Sequence, residues 1–583
     1  MKFFRLLSLS VLSVLLFSCR QPLTDGEHTL VILTTNDVHG QWFDSSYVDS
    51  RVRKSLFAVN YYVDSIRKAQ GPENVLLLDA GDCLQGDNAA YYFNYVDTLS
   101  PHLYPRLASY MQYDAVAVGN HDIETGHKVY DRVRGQLQER GIPFLAANAI
   151  RNDNGKPYFQ PYTIVERAGL KVAVLGYTNA NIKAWLAEEV WSGMHFVSIA
   201  EVIQKDVDAI RRKEHPDVVI ALMHTSTGEG NGAILEGEGL DIFDQIEGLD
   251  WYICSHDHKP FVEARKNTAL LNSGSHCRYL AQGKLHLTVQ SGKVVSKRYE
   301  TSLIPVNAQK ADPEMRAHFQ EEFQTVKDFT RMEVGTLNVD LRTRDAYVGM
   351  SSYVNLIHTL CLSQEPAQLS IAAPLTYNGN VRTGTLVFND LFTIYPFENQ
   401  LYVITMTGDE VRRFLEASYQ RWILTWEKQG DHILHIIPRD NMRMSQSGWS
   451  FANLPYNFDS MAGLNYTVDV TKPVGERVVI TTLADGTPFS EDATYNVAVT
   501  SYRASGGGNL LDEIGINTDQ IDQRVVARYP EIRNLLYKRL QEDASIDPEE
   551  ISDPAVLGEW KFIPENIAAP VLEADMKLLF GRE

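Results

Sequence analysis

Aspartate, asparagine and histidine recur in five short clusters along the first half of this chain: Asp37-x-His39, Asp82, Asn120-His121, His224 and His256-x-His258. These side chains offer oxygen and nitrogen donors, which suit borderline divalent metals. No thiolate joins the set, which argues against a closed structural zinc site. Each cluster alone is weak. Asp37-x-His39 by itself reads as a turn. An isolated His224 reads as a hydrogen-bonded core histidine, and Asn120-His121 after Gly119 as turn chemistry. Five in order, each after an apolar run, read as one metal site.

Those apolar runs are the elements that must position the ligands. Thr29–Thr34, Val75–Leu78, Val116–Val118, Phe144–Ala146, Val172–Leu175, Val218–Leu222, Trp251–Cys254 and Ala269–Leu271 read as strands. Ser55–Lys68, Val129–Arg140 and Ala200–Lys213 carry helical periodicity between them. Short apolar strands alternating with amphipathic helices predict an α/β domain over about 28–305, with both sheet faces covered. Ligands in such sheets bind beyond the carboxyl ends of the strands, where all five clusters fall.

Asn36–Gly40, Gly81–Gly86, Gly119–Asp122, His224 and His256–His258 resemble the metallophosphoesterase blocks of the 5'-nucleotidase superfamily. The resemblance implies a calcineurin-like sandwich fold and two divalent metal ions; Mn, Zn, Co and Fe all accept these donors. It places Asp37, His39, Asp82 and His258 around one ion, and Asp82, Asn120, His224 and His256 around the other. Asp82 would bridge, offsetting the repulsion between two dications about 4 Å apart. The metals would bind phosphate oxygens and acidify an attacking water. His121 would contact the phosphate and stabilise the transition state, oriented by Glu124, where the family often has Asp. Asp122 replaces the usual Glu and Ser255 the usual Gly; neither change removes a ligand.

The second half resembles the same superfamily. Asp312-Pro313-Glu314 starts a helix, with Asp as cap and Pro at the first position, and predicts a helical linker over about 306–334. An α+β domain is expected over about 335–545. Ala372–Arg382, Asp390–Asn399, Tyr456–Pro473 and Ser501–Gly508 carry the resemblance. It implies a nucleoside base held between two aromatic rings: Tyr502, and either Tyr395 or Phe397. Arg382 is the candidate for a phosphate or ribose contact. Gly506–Gly508 is not a P-loop, because no Gly-Lys-Ser/Thr follows. Residues 546–583 form a tail with no functional reading.

Composition narrows the partners. With 54 Lys+Arg against 74 Asp+Glu, the net charge of −20 disfavours nucleic-acid polymers, whose binding depends on phosphate neutralisation. A nucleotide monomer remains compatible, because a local site can override the global field. Residues 1–18 read as a signal peptide, and Leu16-Phe17-Ser18-Cys19 resembles a lipoprotein box with lipidation at Cys19. The expected location is the outer membrane or periplasm, with membrane contact through the lipid alone. The other four cysteines read as buried thiols rather than a disulfide framework. The C-terminal segments look closer to 2',3'-cyclic-nucleotide 2'-phosphodiesterase/3'-nucleotidases than to 5'-nucleotidases or UDP-sugar hydrolases. Glu124 points the other way. A non-catalytic nucleotide-binding lipoprotein is the rival from another class, and it predicts a lost metal ligand.

Overall fold

The computed structural model describes residues 24–186, 188–228, 238–438 and 448–581. The expected signal peptide and Cys19 lie outside them.

The strand Gly26–Thr35 shows how the first domain is built. Leu30 and Ile32 are buried on one face, Val31 and Leu33 on the other, the period-two pattern of a strand covered on both sides. This strand runs parallel to Val75–Asp79, which continues to Ala115–Ala117 and Phe144–Leu145. A long antiparallel hairpin, Tyr279–Gln290 with Lys293–Pro305, completes a six-stranded sheet. The second six-stranded sheet centres on Val218–His224, parallel to Leu170–Thr178 and Trp251–Ile253. Leu30, Ile32, Leu76 and Leu78 of one sheet share a core with Val174, Ile220, Leu222 and Trp251 of the other. Helices cover the outer faces: Leu56–Gln70 packs on the first sheet and Ile199–Glu214 on the second. The domain is a four-layer sandwich, with helices outside two sheets.

The linker is helical but not free. Asp312 caps Pro313–His318 by accepting N–H groups of Glu314 and Met315 at 2.8 and 3.3 Å. A break at Phe319 separates it from Gln320–Thr330. Met315, Phe319 and Val326 are buried in the core of the first domain, so both helices belong to its surface.

The second domain is built on a five-stranded sheet in the order Ser460–Ala462, Leu369–Ala372, Thr494–Thr500, Gln400–Thr407, Val525–Glu531. The two parallel members, Leu369–Ala372 and Thr494–Thr500, end at the same edge. The boundary at 545 needs correction. Trp560–Ile563 adds a parallel strand to Leu464–Asp469, and Glu565–Phe580 forms a helix that buries Leu572 and Leu579 in this domain's core. The tail is structural: its apolar residues are spaced to cover a sheet they do not adjoin in sequence.

Candidate active site

The five clusters converge where the strands end. Thr35 pairs with Asp79, and Asp79 with Val116, so three strands of one sheet stop at one level. His224 is the last residue of the central strand of the other sheet. Past these ends the backbone turns sharply. Asp37, His39, Asp82, His256 and His258 all have positive φ, between 48° and 68°. Non-glycine residues rarely adopt this region, and such strain concentrates at functional sites. Glycines allow the crowding: a Cβ on Gly119 would lie 2.1 Å from Asp82 Oδ1, and one on Gly81 2.8 Å from His224 Nδ1.

Two groups of potential ligands result, Asp37 with His39 and His258, and Asp82 with His224 and His256. His258 Nε2 lies 3.5 Å from Asp37 Oδ1 and 2.9 Å from His39 Nε2. His224 Nε2 lies 3.1 Å from Asp82 Oδ2 and 3.0 Å from Asn120 Oδ1. The ring nitrogens away from the centre are engaged. His224 Nδ1 donates to the Ala80 carbonyl at 2.7 Å, and His39 Nδ1 to Gln85 Oε1 at 3.3 Å. Each contact fixes a tautomer with Nε2 open toward the centre, as metal ligation needs. Asp122 is a backbone organiser: its carboxylate accepts the N–H groups of Asp82, Cys83, Leu84 and Gly119 at 2.8–3.0 Å.

These residues fit a pair of cations. Asp82 Oδ2 is buried beside His224 Nε2 at 3.1 Å without a well-aligned hydrogen bond, whereas Oδ1 accepts the His121 N–H at 2.8 Å. Two imidazole nitrogens facing each other at 2.9 Å also call for a positive centre. The electrostatics agree. Burial pushes Asp37 up, but His258 and His224 outweigh it and hold the carboxyl at about 2. Burial likewise opposes ionisation of Asp82, and His224 and His121 still pull it well below the usual carboxylate range. Burial holds His39 neutral at about 3. Both carboxylates are therefore charged and His39 is neutral, the states that bind metal. His224 is pushed to about 9: burial lowers it, but the Asp82 charge draws a proton. A cation on Asp82 would supply that compensation instead.

His121 stands beside this centre, its Nδ1 donating to Glu124 Oε2 at 2.5 Å. Burial disfavours its charge, but Glu124 and Asp82 raise the imidazole to about 10. Trp185 stacks on His256, with ring centroids 4.9 Å apart and planes 23° apart.

A cavity of about 750 Å³ joins this centre to the second domain. Asp82, Asn120, His121, Glu124, His256 and His258 line one end. Phe397, Tyr456 and Tyr502 line the other. Tyr456 meets Phe397 and Tyr502 edge to face, with centroids 6.2 and 6.4 Å apart. Two expectations need correction. Tyr395 borders the cavity but is 1% exposed and packed in the core, so its ring offers no free face for stacking. Arg382 is exposed and is not among the residues lining the cavity. The arginine at the cavity wall is Arg503, and Tyr456 is a third ring there. Both sit in the segments that carried the resemblance, but nothing local marks Tyr456 above its aromatic neighbours.

No described helix is long and apolar enough to cross a membrane. Cys83, Cys254, Cys277 and Cys361 are buried, unpaired thiols.

Known proteins resemble this chain in sequence and fold. The calcineurin-like phosphoesterase family matches residues 30–260, and the 5'-nucleotidase C-terminal domain family matches residues 333–513. A 2',3'-cyclic-nucleotide 2'-phosphodiesterase/3'-nucleotidase of Haemophilus influenzae is 24% identical, over 92% of this chain and 87% of that protein. A trifunctional nucleotide phosphoesterase of Bacillus subtilis is 25% identical over 89% of this chain, which spans only 38% of that longer protein. The fold matches a Staphylococcus aureus protein crystallised with alpha-ketoglutarate under the provisional name 5'-nucleotidase, with a TM-score of 0.74 at 21% identity, covering 92% of this chain and 99% of that one. With both domains matched in order, the chain belongs to the metallophosphoesterases that carry a 5'-nucleotidase C-terminal domain.

Proposed function

We propose that this protein is a metal-dependent hydrolase of nucleotide phosphate esters, acting first on 2',3'-cyclic and 3'-nucleotides. One observation carries the reading: a single cavity is lined by members of both ligand groups, Asp82, His256 and His258, and by His121 at one end, and by three aromatic rings at the other. Its span suits a nucleotide, phosphate at the metal end and base at the aromatic end. Asp37, His39, Asp82 and His258 would hold one ion, and Asp82, Asn120, His224 and His256 the other. Two such ions would neutralise phosphate oxygens and render a water acidic enough to attack near neutral pH.

The chain's own groups do the rest. Glu124 engages His121 Nδ1, which leaves the Nε2 side of the ring for the phosphate. As the water oxygen bonds to phosphorus and the bond to the sugar oxygen breaks, negative charge grows on the phosphoryl oxygens, and the His121 cation stabilises it. Phe397 and Tyr502 grip the base by stacking, which tolerates any base identity.

A second reading, 5'-nucleotides as substrates, rests on the His121–Glu124 pair, because an acid at that position resembles the 5'-nucleotidase branch. Hydrolysis rates on 2',3'-cAMP, 3'-AMP, 5'-AMP and UDP-glucose decide between them, with Asp82→Ala as control. Preference for 5'-AMP overturns the first reading. No turnover of any nucleotide above the control overturns both, and metal analysis then tests the non-catalytic binding alternative. An exported, lipid-anchored form at Cys19 remains part of the proposal; mass spectrometry of the membrane fraction tests it.

A further inference from the structure

Arg503 is the largest cation at the aromatic end of the cavity, yet its guanidinium points inward. Its side chain is 3% exposed. It lies on the short helix Ser501–Ala504, entered directly from the strand Thr494–Thr500, and Thr500 Oγ1 accepts its backbone N–H at 3.0 Å. Nη2 donates to Asp459 Oδ2 at 2.7 Å and to the Tyr456 carbonyl at 3.1 Å. Nη1 donates to Asn457 Oδ1 at 3.2 Å and to the Gly507 carbonyl. One planar group thus ties together the Tyr456–Asp459 segment, the helix that carries Tyr502, and the glycine loop.

Both ends of that clamp are anchored. Ser418 Oγ donates to the Asp459 carbonyl at 2.8 Å, and Phe458 stacks on buried Trp422 with centroids 5.6 Å apart. The glycines are sized to it. A Cβ on Gly508 would meet Asn457 Oδ1 at 2.4 Å and Arg503 Nη1 at 2.5 Å. A Cβ on Gly507 would lie 2.5 Å from the Tyr502 ring. With four hydrogen bonds inside the protein and Asp459 as counter-charge, the guanidinium is committed to the protein and not to a ligand. Lysine cannot replace it, because a point charge lacks the planar fork that reaches several acceptors in fixed directions.

We propose that the buried Arg503–Asp459 pair is a positioning device that holds Tyr502 against Tyr456 and so sets the grip on the nucleotide base. This rests on the nucleotide reading above. The test compares the parent with Arg503→Lys, and with Asp459→Asn, which keeps the shape but removes the counter-charge. Steady-state kinetics on the best nucleotide substrate should show KM raised at least tenfold in both variants, with kcat within about twofold. Inhibition of bis(p-nitrophenyl) phosphate hydrolysis by adenosine should weaken by a similar factor. Unchanged KM and adenosine inhibition in folded variants overturn the positioning role. So does an equal loss of kcat on both substrates, which marks a general loosening of the domain. A parent that hydrolyses bis(p-nitrophenyl) phosphate but neither saturates with a nucleotide nor responds to adenosine overturns the nucleotide reading itself. If Arg503→Lys fails to fold, Asp459→Asn decides alone.

Discussion

Glu124 Oε2 lies 2.5 Å from His121 Nδ1, three residues along one short helix, Asn120–Glu124. Asn120, a proposed ligand, starts that helix, so ligand, charge stabiliser and orienting acid share one rigid turn. Their relative placement depends on a few backbone torsions rather than on loops.

Removing the acid should therefore cost rate rather than binding. Glu124→Gln keeps the shape but loses the charge, and kcat should fall about ten- to hundredfold with KM near the parent value. His121→Ala should cost on the order of 10²–10³ in kcat, the usual scale for losing one transition-state stabiliser. Steady-state kinetics at fixed metal concentration measures both. A Glu124→Gln enzyme at full rate would show that the pair is incidental.

Gly119→Ala should damage the metal centre without unfolding the domain. The new methyl would stand 2.1 Å from Asp82 Oδ1 and 2.4 Å from the Asp82 backbone nitrogen, so the whole Asp82 corner must shift to relieve the clash. Metal analysis should find less than the parent's content per chain, while the melting temperature falls by only a few degrees. Full metal content would remove Asp82 from the proposed bridging position.

The two aromatic expectations now separate. Phe397→Ala and Tyr502→Ala should each raise nucleotide KM by roughly 5- to 150-fold, the equivalent of about 1–3 kcal/mol of lost stacking. Arg382→Ala, on the exposed surface, should leave KM within twofold. Tyr395→Ala should lower the melting temperature instead, because it empties a core position. A large KM effect at Arg382 would contradict its placement.

Acid should destabilise the folded chain through two buried histidines far from the proposed ligands. Burial holds His358 at about 3, between Ser370 and Ser460, and burial aided by Arg132 holds His102 at about 3. The unfolded chain protonates both below about pH 6.5. The stability they contribute is complete above that pH and declines as pH falls toward 3, by about 1.4 kcal/mol per unit for each group. Urea midpoints at pH 7 and pH 4.5 should diverge less in His358→Asn than in the parent. Equal divergence in the two proteins would exclude His358 as a contributor.

The candidate metal end was legible because its donor clusters are written locally. Each proposed ligand abuts a short apolar strand, and strand periodicity with donor chemistry can be read within a few residues of one another. Tyr456, Arg503 and the tail were not legible for the opposite reason. Whether a tyrosine faces a cavity, whether an arginine's donors are already taken by backbone carbonyls, and whether an apolar helix covers a distant sheet are all set by contacts between remote segments. Tyr395 and Phe397 stand two residues apart with similar chemistry, and only packing buries the first while leaving the second at the cavity.

By itself the sequence marked the candidate ligand clusters, the strand ends that carry them, the two-domain order and a net charge of −20. The tertiary structure decided the rest. It turned five proposed ligands into positive-φ corners around one buried carboxylate oxygen, opened one cavity from that centre to three rings of the other domain, and folded residues 546–581 into the second domain. The physical reason is range: donor chemistry and strand pattern are local properties, whereas burial and the facing of side chains exist only once distant segments meet.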